Sequence, residues 1–316
     1  MLQENLAIGA QAGISPWHRA SYDGKGIRVA VLDPTRELFN YQKGTIPQPL
    51  GEGSQEGTHL GSCCAVIQQI APSSEVFGLP TDMGAWEWVL KNEIDVVSCS
   101  YVGGSLPLPL QSRLEKSGLV VLASSGNDGD LEQGADHHVP SSYSWTISVG
   151  AYCPGQKQLE PYTNGGKVLD CVALTDFSVI ANLGMPRQFI GTSCATAVAA
   201  GMMALALQKE GRQKGWQWAR EYIKQNSQDI LEPGKDRASG YGLFHLPEEA
   251  EMAKEIVLQV GKKTAHVNGQ AVTMEVAPAV ISDRTLVPLR FIAEAFGAEV
   301  GYSGNKDQII TIQLRG

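Results

Sequence analysis

Short runs of β-branched and other apolar residues alternate with longer helical segments in the first half of the chain. The runs are almost continuously apolar, as expected of parallel strands that are covered on both faces. Five of them are predicted strands: Ile27–Asp33, Glu75–Leu79, Asp95–Ser100, Leu119–Gly126 and Thr146–Ala151. Helical periodicity lies between them at Gly57–Ile70 and Met83–Asn92. The pattern predicts an α/β fold with a doubly wound, mostly parallel sheet.

The pattern changes after Gly240, where a second and smaller domain is predicted. Ile256–Met274 alternates apolar and polar residues around a Val-Asn-Gly-Gln turn, which is typical of a hairpin. Thr285–Val300 carries a helical apolar stripe, and Gln308–Leu314 has the composition of a last strand. We therefore expect one large domain over residues 1–250 and a small α+β domain over residues 256–316, which the length of 316 residues allows.

Composition narrows the class of protein. Hydrophobic residues make up 43% of the chain and charged residues 18%, which excludes a disordered polyelectrolyte. The net charge is -8 without a cluster of lysine or arginine, so we expect neither nucleic acid nor an anionic membrane as partner. The longest apolar stretch, Ala195–Leu207, is too short to cross a bilayer and predicts a buried helix.

The six cysteines lie in apolar or small-residue contexts without the paired spacing of a zinc site: Cys63, Cys64, Cys99, Cys153, Cys171 and Cys194. They are expected to be buried, reduced thiols, and no metal or cofactor is predicted. Reduced thiols and the lack of a leader pattern in Met1–Tyr22 favour a cytoplasmic location. A secreted or cell-wall location would follow if a leader had been removed.

The segment Gly191–Leu205, with the sequence GTSCATAVAAGMMAL, contains the strongest candidate for chemistry. Ser193 follows a Gly-Thr turn and opens a helix of small residues, whose N-terminus presents N–H groups and a positive dipole. This suits a nucleophile that attacks a carbonyl, although an ordinary N-cap serine has the same local pattern. Asp33 and Asn127 follow predicted strands at the carboxyl edge of the sheet; alternatively they cap a turn and occupy a loop.

GTSCATA resembles the Gly-Thr-Ser-Met-Ala-Thr-Pro signature of the subtilisin-like serine peptidases, or subtilases. Further segments resemble that family in the family's order: GKGIRVAVLD (24–33), EGTHLGS (56–62), ASSGNDG (123–129) and GYGLFHL (240–246). The resemblance covers about residues 13–250 and implies a subtilisin-type sheet that acts on a peptide or protein. It also implies Ser193 as nucleophile, Asn127 and the Ser193 amide as oxyanion donors, and Asp33 as the carboxylate that orients the base.

The sequence departs from the family at the base. The first histidine of the family's His-Gly-Thr-His segment is catalytic, and Glu56 occupies that position here. His59 matches the second, structural histidine and is expected to point away from Ser193 into the packing, and neither His137 nor His138 is expected to replace the base. A carboxylate with an ordinary pKa near about 4.3 is a weak base at neutral pH, so Glu56 predicts activity in acid.

Sedolisins use a serine, a glutamate and an aspartate on a similar fold, but the resemblance to them is partial. Leu60 stands at the position of the sedolisin catalytic aspartate, and Asn127 stands at the position of their oxyanion aspartate. Pro34 and Thr35 replace the usual Thr-Gly after Asp33, and the segment 71–100 is too short for the family's calcium loop and part of its substrate edge. Three hypotheses stay open: a weakly or acid-active endopeptidase with Glu56 as base, a pseudopeptidase that binds or regulates, and an engineered substitution at position 56.

The stretch VPLRFIAEAFGAEV (287–300) resembles the helix of the copper amine oxidase N-terminal, or stalk, domain. The resemblance implies a non-catalytic appendage of the kind found in secreted or cell-wall-associated bacterial proteins. His266 has no histidine or cysteine beside it in the sequence, so copper binding is not expected. The predicted role of residues 256–316 is binding to cell wall, to a partner chain or to a second copy.

Overall fold

A computed structural model describes residues 1–34, 59–180, 186–247, 256–267, 269–296, 298–302 and 310–314. The chain divides into two compact units, Met1–Glu249 and Ala250–Gly316. The strands of the first unit are β1 (Arg28–Leu32), β2 (Glu75–Leu79), β3 (Val96–Cys99), β4 (Val120–Ser124), β5 (Thr146–Cys153), β6 (Gln158–Leu159), β7 (Leu169–Leu174), β8 (Phe177–Ile180), β9 (Pro186–Phe189), β10 (Ser227–Gln228) and β11 (Leu243–Phe244). Its helices are α1 (Leu6–Gln11), α2 (Ile14–Arg19), α3 (His59–Ile70), α4 (Met83–Lys91), α5 (Leu108–Ser117), α6 (Thr192–Glu210) and α7 (Trp216–Gln225).

The first unit is built on a nine-stranded sheet in the order β10-β11-β7-β5-β4-β3-β1-β2, with β6 paired to β5. The run from β11 to β2 is parallel throughout, whereas β6 and β10 pair antiparallel. Residues of the central strands β3, β4, β5 and β7 are all buried, which explains their continuously apolar sequence. The predicted α/β class with a mostly parallel sheet is confirmed, and the five predicted strands are all present.

Helix α6 passes through the core of this unit, with every residue from Thr192 to Leu207 buried. Small side chains allow the close approach of α3, because a Cβ added to Gly201 would lie 2.8 Å from Cβ of Ile70. Helix α3, which contains His59, and helix α6, which contains Ser193, are therefore in direct contact. Among the described residues, no helix combines the length and apolar character that crossing a bilayer requires.

Several elements of this unit were not predicted from the sequence. They include strand β7, the hairpin of β8 and β9, and helices α5 and α7. The connection between β2 and α4 consists of residues 80–82 alone, so the predicted shortness of this region is confirmed. All six cysteines are free and buried, as predicted.

The second unit consists of short strands and one helix: β12 (Ile256–Leu258), β13 (Thr264–Val267), β14 (Gln270–Thr273), β15 (Ala279–Ile281), β16 (Arg284–Leu286), α8 (Leu289–Ala295), β17 (Ala298–Tyr302) and β18 (Ile310–Leu314). Strands β12, β13 and β14 form an antiparallel sheet, which confirms the predicted hairpin. The helix is shorter than the predicted Thr285–Val300, because β16 and β17 occupy the two ends of that stretch.

Candidate active site

Asp33 follows β1 at the carboxyl edge of the sheet. Its backbone N–H donates to the carbonyl oxygen of Leu79 at 3.1 Å, which holds the residue beside the end of β2. The side chain is almost completely buried, with 1% of the residue exposed, and Oδ2 lies 2.5 Å from Nδ1 of His59. Burial of an unpaired carboxylate is costly, so this imidazole contact is what makes a charged Asp33 compatible with its position.

His59 lies at the first described position of α3, and its imidazole reaches the buried carboxylate. The expectation that this side chain turns into the packing is wrong: it is 47% exposed and contacts Asp33. The physical reason is that the buried carboxylate of Asp33, at the carboxyl end of β1, lies within hydrogen-bond distance of the imidazole. The exposed part of the ring is available to other groups while Nδ1 is held.

Two further contacts connect α3 to the hairpin that leads into α6. The rings of His59 and Phe189 meet edge to face with centroids 5.4 Å apart, and Phe189 lies four residues before Ser193. Arg187 Nη2 donates to Ser62 Oγ at 2.7 Å. The imidazole is therefore anchored on one side by Asp33 and on another by the segment that carries the serine.

Ser193 occupies the first turn of α6 and is largely buried. The turn depends on Gly191, whose φ of 101° lies in a region that favours glycine. Gly191 N donates to Tyr162 Oη at 3.0 Å, and Thr175 Oγ1 donates to Gly191 O at 3.4 Å. The N–H groups of a helix's first turn have no partner within the helix, so the Ser193 N–H can donate to an anion placed at this end of α6.

Asn127 acts on this same turn from the end of β4. Its Oδ1 accepts hydrogen bonds from Thr192 N at 2.9 Å and from Thr192 Oγ1 at 3.0 Å. Because the carbonyl oxygen is held in this way, the amide NH₂ group points elsewhere and has no hydrogen-bond partner among the residues that the structure describes. A Cβ placed on Gly191 would be 3.9 Å from both Asn127 Nδ2 and Ser193 N, so the two donors flank one face of this glycine.

The loop that presents Asn127 is tightly organised. Gly126 has a φ of 104°, and a Cβ there would lie 2.1 Å from Cε1 of His138, so only glycine fits. Asn164 Oδ1 accepts from the N–H groups of Asp128 and Asp130 at 3.0 and 3.2 Å. His138 Nε2 lies 3.0 Å from Asp128 Oδ2, which assigns this histidine to the loop and not to Ser193, in agreement with the expectation from the sequence.

Cys63 and Ser100 lie beneath Asp33 and Ser193. Cys63 Sγ is 4.0 Å from Asp33 Oδ2 and 3.4 Å from Ser100 Oγ, which in turn donates to the carbonyl oxygen of Ser193 at 3.4 Å. Burial, reinforced by the negative charge of Asp33, holds the pKa of the Cys63 thiol well above its usual value. This thiol is therefore neutral near neutral pH and can act as a weak donor.

The structure thus brings together part of the predicted set. Asp33 meets His59, and Asn127 meets the turn of Ser193 through Thr192. Glu56 lies outside the described residues, as does Thr35. The contact of His59 with Asp33 was not predicted from the sequence, because His59 matches the family's second, structural histidine in the His-Gly-Thr-His segment.

Comparison with known proteins identifies the family. The sequence model of the subtilase family matches residues 59–242, which is more than half of the chain, and that of the copper amine oxidase N-terminal domain matches residues 250–311. The chain belongs to the subtilase family and carries a C-terminal domain of the second kind. The match includes His59, Asn127 and Ser193 and begins after Asp33 and Glu56.

Curated relatives and a solved structure agree with this assignment. Subtilisin amylosacchariticus of Bacillus subtilis subsp. amylosacchariticus is 30% identical over 223 residues, covering 61% of this chain and 58% of its own length. Subtilisin of Bacillus pumilus is likewise 30% identical, with 80% of its length covered. A crystal structure of a lanthipeptide protease superimposes with a TM-score of 0.57 at 17% identity, covering 77% of this chain and 94% of its own, which shows a shared fold.

Proposed function

We propose that this chain is a serine peptidase in which His59, held by Asp33, is the base for Ser193. The observation that carries the proposal is the distance of 2.5 Å between His59 Nδ1 and Asp33 Oδ2. A buried carboxylate on Nδ1 selects the tautomer whose Nε2 accepts a proton and stabilises the imidazolium that then forms. Nε2 would take the proton of Ser193 as its oxygen attacks the peptide carbonyl, and would return it to the leaving amine.

The charge that develops on the carbonyl oxygen would be stabilised by two donors. These are the Ser193 N–H and the Asn127 NH₂ group, which flank Gly191. Both are oriented before the reaction, one by the helix and the other by its bonds to Thr192. Donors that need no reorganisation contribute most to such catalysis.

The exposed segment after β3 is the place where a peptide would align. Residues 102–104 are exposed, and they follow Ser100, which contacts the Ser193 carbonyl oxygen. An extended peptide can add its backbone along such an edge. The connection between β2 and α4 is short, so it would offer little additional surface to a peptide bound along residues 102–104. The peptide would therefore make few contacts with the protein there.

Glu56 keeps the role predicted from the sequence only if His59 does not act. In that second mechanism the carboxylate is the base and hydrolysis is favoured in acid. A second candidate function is a pseudopeptidase that binds peptides without cleaving them. It is favoured by the lack of a hydrogen bond between Ser193 Oγ and His59 among the described residues, although such bonds often tighten only with substrate bound.

Labelling with a serine-directed fluorophosphonate tests the proposal. The reagent forms a bond to an activated serine oxygen, so the wild-type chain should be labelled at Ser193 and S193A should not. Complete failure to label folded wild-type protein from about pH 4 to about pH 9 would favour the pseudopeptidase. E56H separates the two mechanisms: its neutral activity should equal that of wild type if His59 is the base, whereas a gain of neutral activity would assign the base to position 56.

For the second unit we propose association with a second copy of the chain. Among the described residues, thirteen exposed large apolar side chains lie in Ala250–Gly316, against eight in the much longer first unit. This unit has seven acidic and seven basic residues, so its formal charge is zero and the net charge of -8 comes from the first unit. Two copies can therefore approach through these units without like-charge repulsion.

The surface proposed for this contact is a groove of about 590 Å³ within the second unit. Its apolar lining includes Met274, Ile281, Leu286 and Phe291, and Arg290 and Glu294 also line it. These last two side chains are joined at 3.2 Å, so the groove offers an apolar floor beside a neutral ion pair. Such a surface suits an apolar segment of an identical neutral unit better than an acidic or basic partner.

A further inference from the structure

Three different kinds of metal-ligating atom meet at the candidate active site. A carboxylate oxygen of Asp33, an imidazole nitrogen of His59 and the sulfur of Cys63 all lie within 4.8 Å of one another. Oxygen, nitrogen and thiolate sulfur are the donors that Zn²⁺ binds in proteins. We propose that these three side chains form a Zn²⁺ site that switches the enzyme off when it is filled. The binding stands on the geometry, whereas the inhibition rests on the proposed function.

The required rearrangement is small. Zinc bonds of about 2.0–2.1 Å to nitrogen or oxygen and about 2.3 Å to sulfur place tetrahedral ligands roughly 3.3–3.6 Å apart. The Sγ to Oδ2 distance of 4.0 Å is close to this spacing, while the Nδ1 to Oδ2 distance of 2.5 Å must lengthen. His59 is the half-exposed member, so a movement of its ring by about 1 Å away from Asp33 supplies the difference.

Occupation would remove the features that make His59 a base. The ion would take the place of the proton between Nδ1 and Oδ2, and the negative charge of Asp33 would then act on the metal instead of on an imidazolium. The thiol of Cys63 would lose its proton to solvent and become a ligand. Three protein ligands leave the fourth position of a tetrahedral zinc ion to water. Ser193 would therefore lack an oriented proton acceptor.

The chain contains its own matched control. Cys153, Glu160 and Asp176 also offer three ligand atoms within 4.8 Å, with Cys153 Sγ 3.5 Å from Asp176 Oδ2. This second cluster contains a buried cysteine as well, but it has two carboxylates and no imidazole. Replacing either cysteine by serine is an equally conservative change, so C153S controls for loss of a thiol anywhere else in the unit.

Titration of the full, reduced chain with Co²⁺ tests the site. Cobalt takes the ligands of zinc, and a thiolate bound to it produces a sulfur-to-metal absorption band. Wild type and C153S should bind one ion per chain with this band. C63S and C63A should lose the band, and C63S, C63A and H59Q should each bind cobalt at least about tenfold more weakly. Circular dichroism and thermal unfolding establish that each variant is folded.

Labelling of Ser193 supplies the second readout. Zn²⁺ should slow fluorophosphonate labelling of wild type and C153S, and a chelator should reverse the effect, while C63S should be insensitive relative to its own metal-free rate. Two results would overturn the site: a band that survives in C63S and disappears in C153S, or no cobalt bound by folded wild type. If wild type is never labelled, the proposed function fails, and the cobalt titration still decides the metal site.

Discussion

His59 Nδ1 lies 2.5 Å from Asp33 Oδ2, and the two side chains differ sharply in exposure. Asp33 is buried at 1%, whereas 47% of the His59 side chain is exposed. The carboxylate is thus fixed within the sheet edge and orients a ring whose other side is open to a substrate. This relationship is the arrangement that a serine hydrolase requires of its base and of the carboxylate that orients it.

Asn127 offers a prediction for the oxyanion site. N127A should lower kcat by about 10²- to 10³-fold, the loss measured for such a donor in a subtilisin, with a smaller change in KM. The reason is that its NH₂ group would act only on the charge formed in the transition state. Steady-state kinetics with a peptide substrate provide the measurement.

T192V serves as the control for Asn127. This change removes the bond from Thr192 Oγ1 and keeps the one from Thr192 N, so Asn127 should stay near its position. One neutral hydrogen bond contributes about 0.5–1.5 kcal/mol, so we expect a loss of kcat of about tenfold or less. Equal losses in N127A and T192V would mean that Asn127 acts on the shape of the turn and not on the oxyanion.

Gly201 yields a stability prediction for the contact between α3 and α6. A Cβ at this position would lie 2.8 Å from Cβ of Ile70 and 3.0 Å from its Cγ2, both too close for carbon atoms. G201A should therefore lower the free energy of unfolding by about 1–3 kcal/mol, as overpacking of cores does. Chemical denaturation of purified protein measures this difference.

G104A is the matched control, since a Cβ on Gly104 would meet no atom within 4 Å and the residue is exposed. Its free energy of unfolding should change by less than about 0.5 kcal/mol. Equal stability of G201A and wild type would show that α3 and α6 are packed less closely than described.

The groove of the second unit predicts a defined oligomer. Wild-type protein should sediment as a dimer, and I281E or L286E should weaken dimerisation at least about tenfold, because each buries a charge against apolar side chains. V257E introduces the same charge at a position in β12 that does not line the groove and should leave the dimer intact. Analytical ultracentrifugation across a concentration series measures the constant.

If wild type is monomeric at all concentrations, a second copy of the chain does not bind the groove. Dimers that persist in both I281E and L286E would contradict the groove as the contact surface. Binding of purified cell-wall material to a monomer would instead support the other role expected from the sequence.

The sheet could be predicted largely from the sequence because its central strands are buried on both faces. Every residue of β4 is buried, so its sequence is an almost continuous run of apolar residues that is easily identified as a strand. Strand β7 was missed although it is buried, since its sequence LDCVAL carries an aspartate that the tertiary structure pairs with Arg220 and Lys235. In the second unit, the predicted helix was too long because the apolar stripe continues at both ends into the short strands β16 and β17.

The candidate site could be predicted less completely. Ser193, Asn127 and Asp33 were predicted because each follows or opens an element at the same sheet edge and because each matches a subtilase motif. The contact of His59 with Asp33 depends on how the start of α3 approaches β1, and spacing along the chain does not encode this. The same holds for Cys63 and Ser100, whose contacts join segments distant in sequence.

The identity of the base is tested most directly by the pH dependence of Ser193 labelling in wild type, H59Q and E56Q. With His59 as base, labelling of wild type and E56Q should be weaker in acid than at neutral pH, because only a neutral imidazole accepts the serine proton, and H59Q should fall by at least about 10³-fold. Labelling that is strongest in acid, survives in H59Q and disappears in E56Q would contradict this account and assign the base to Glu56.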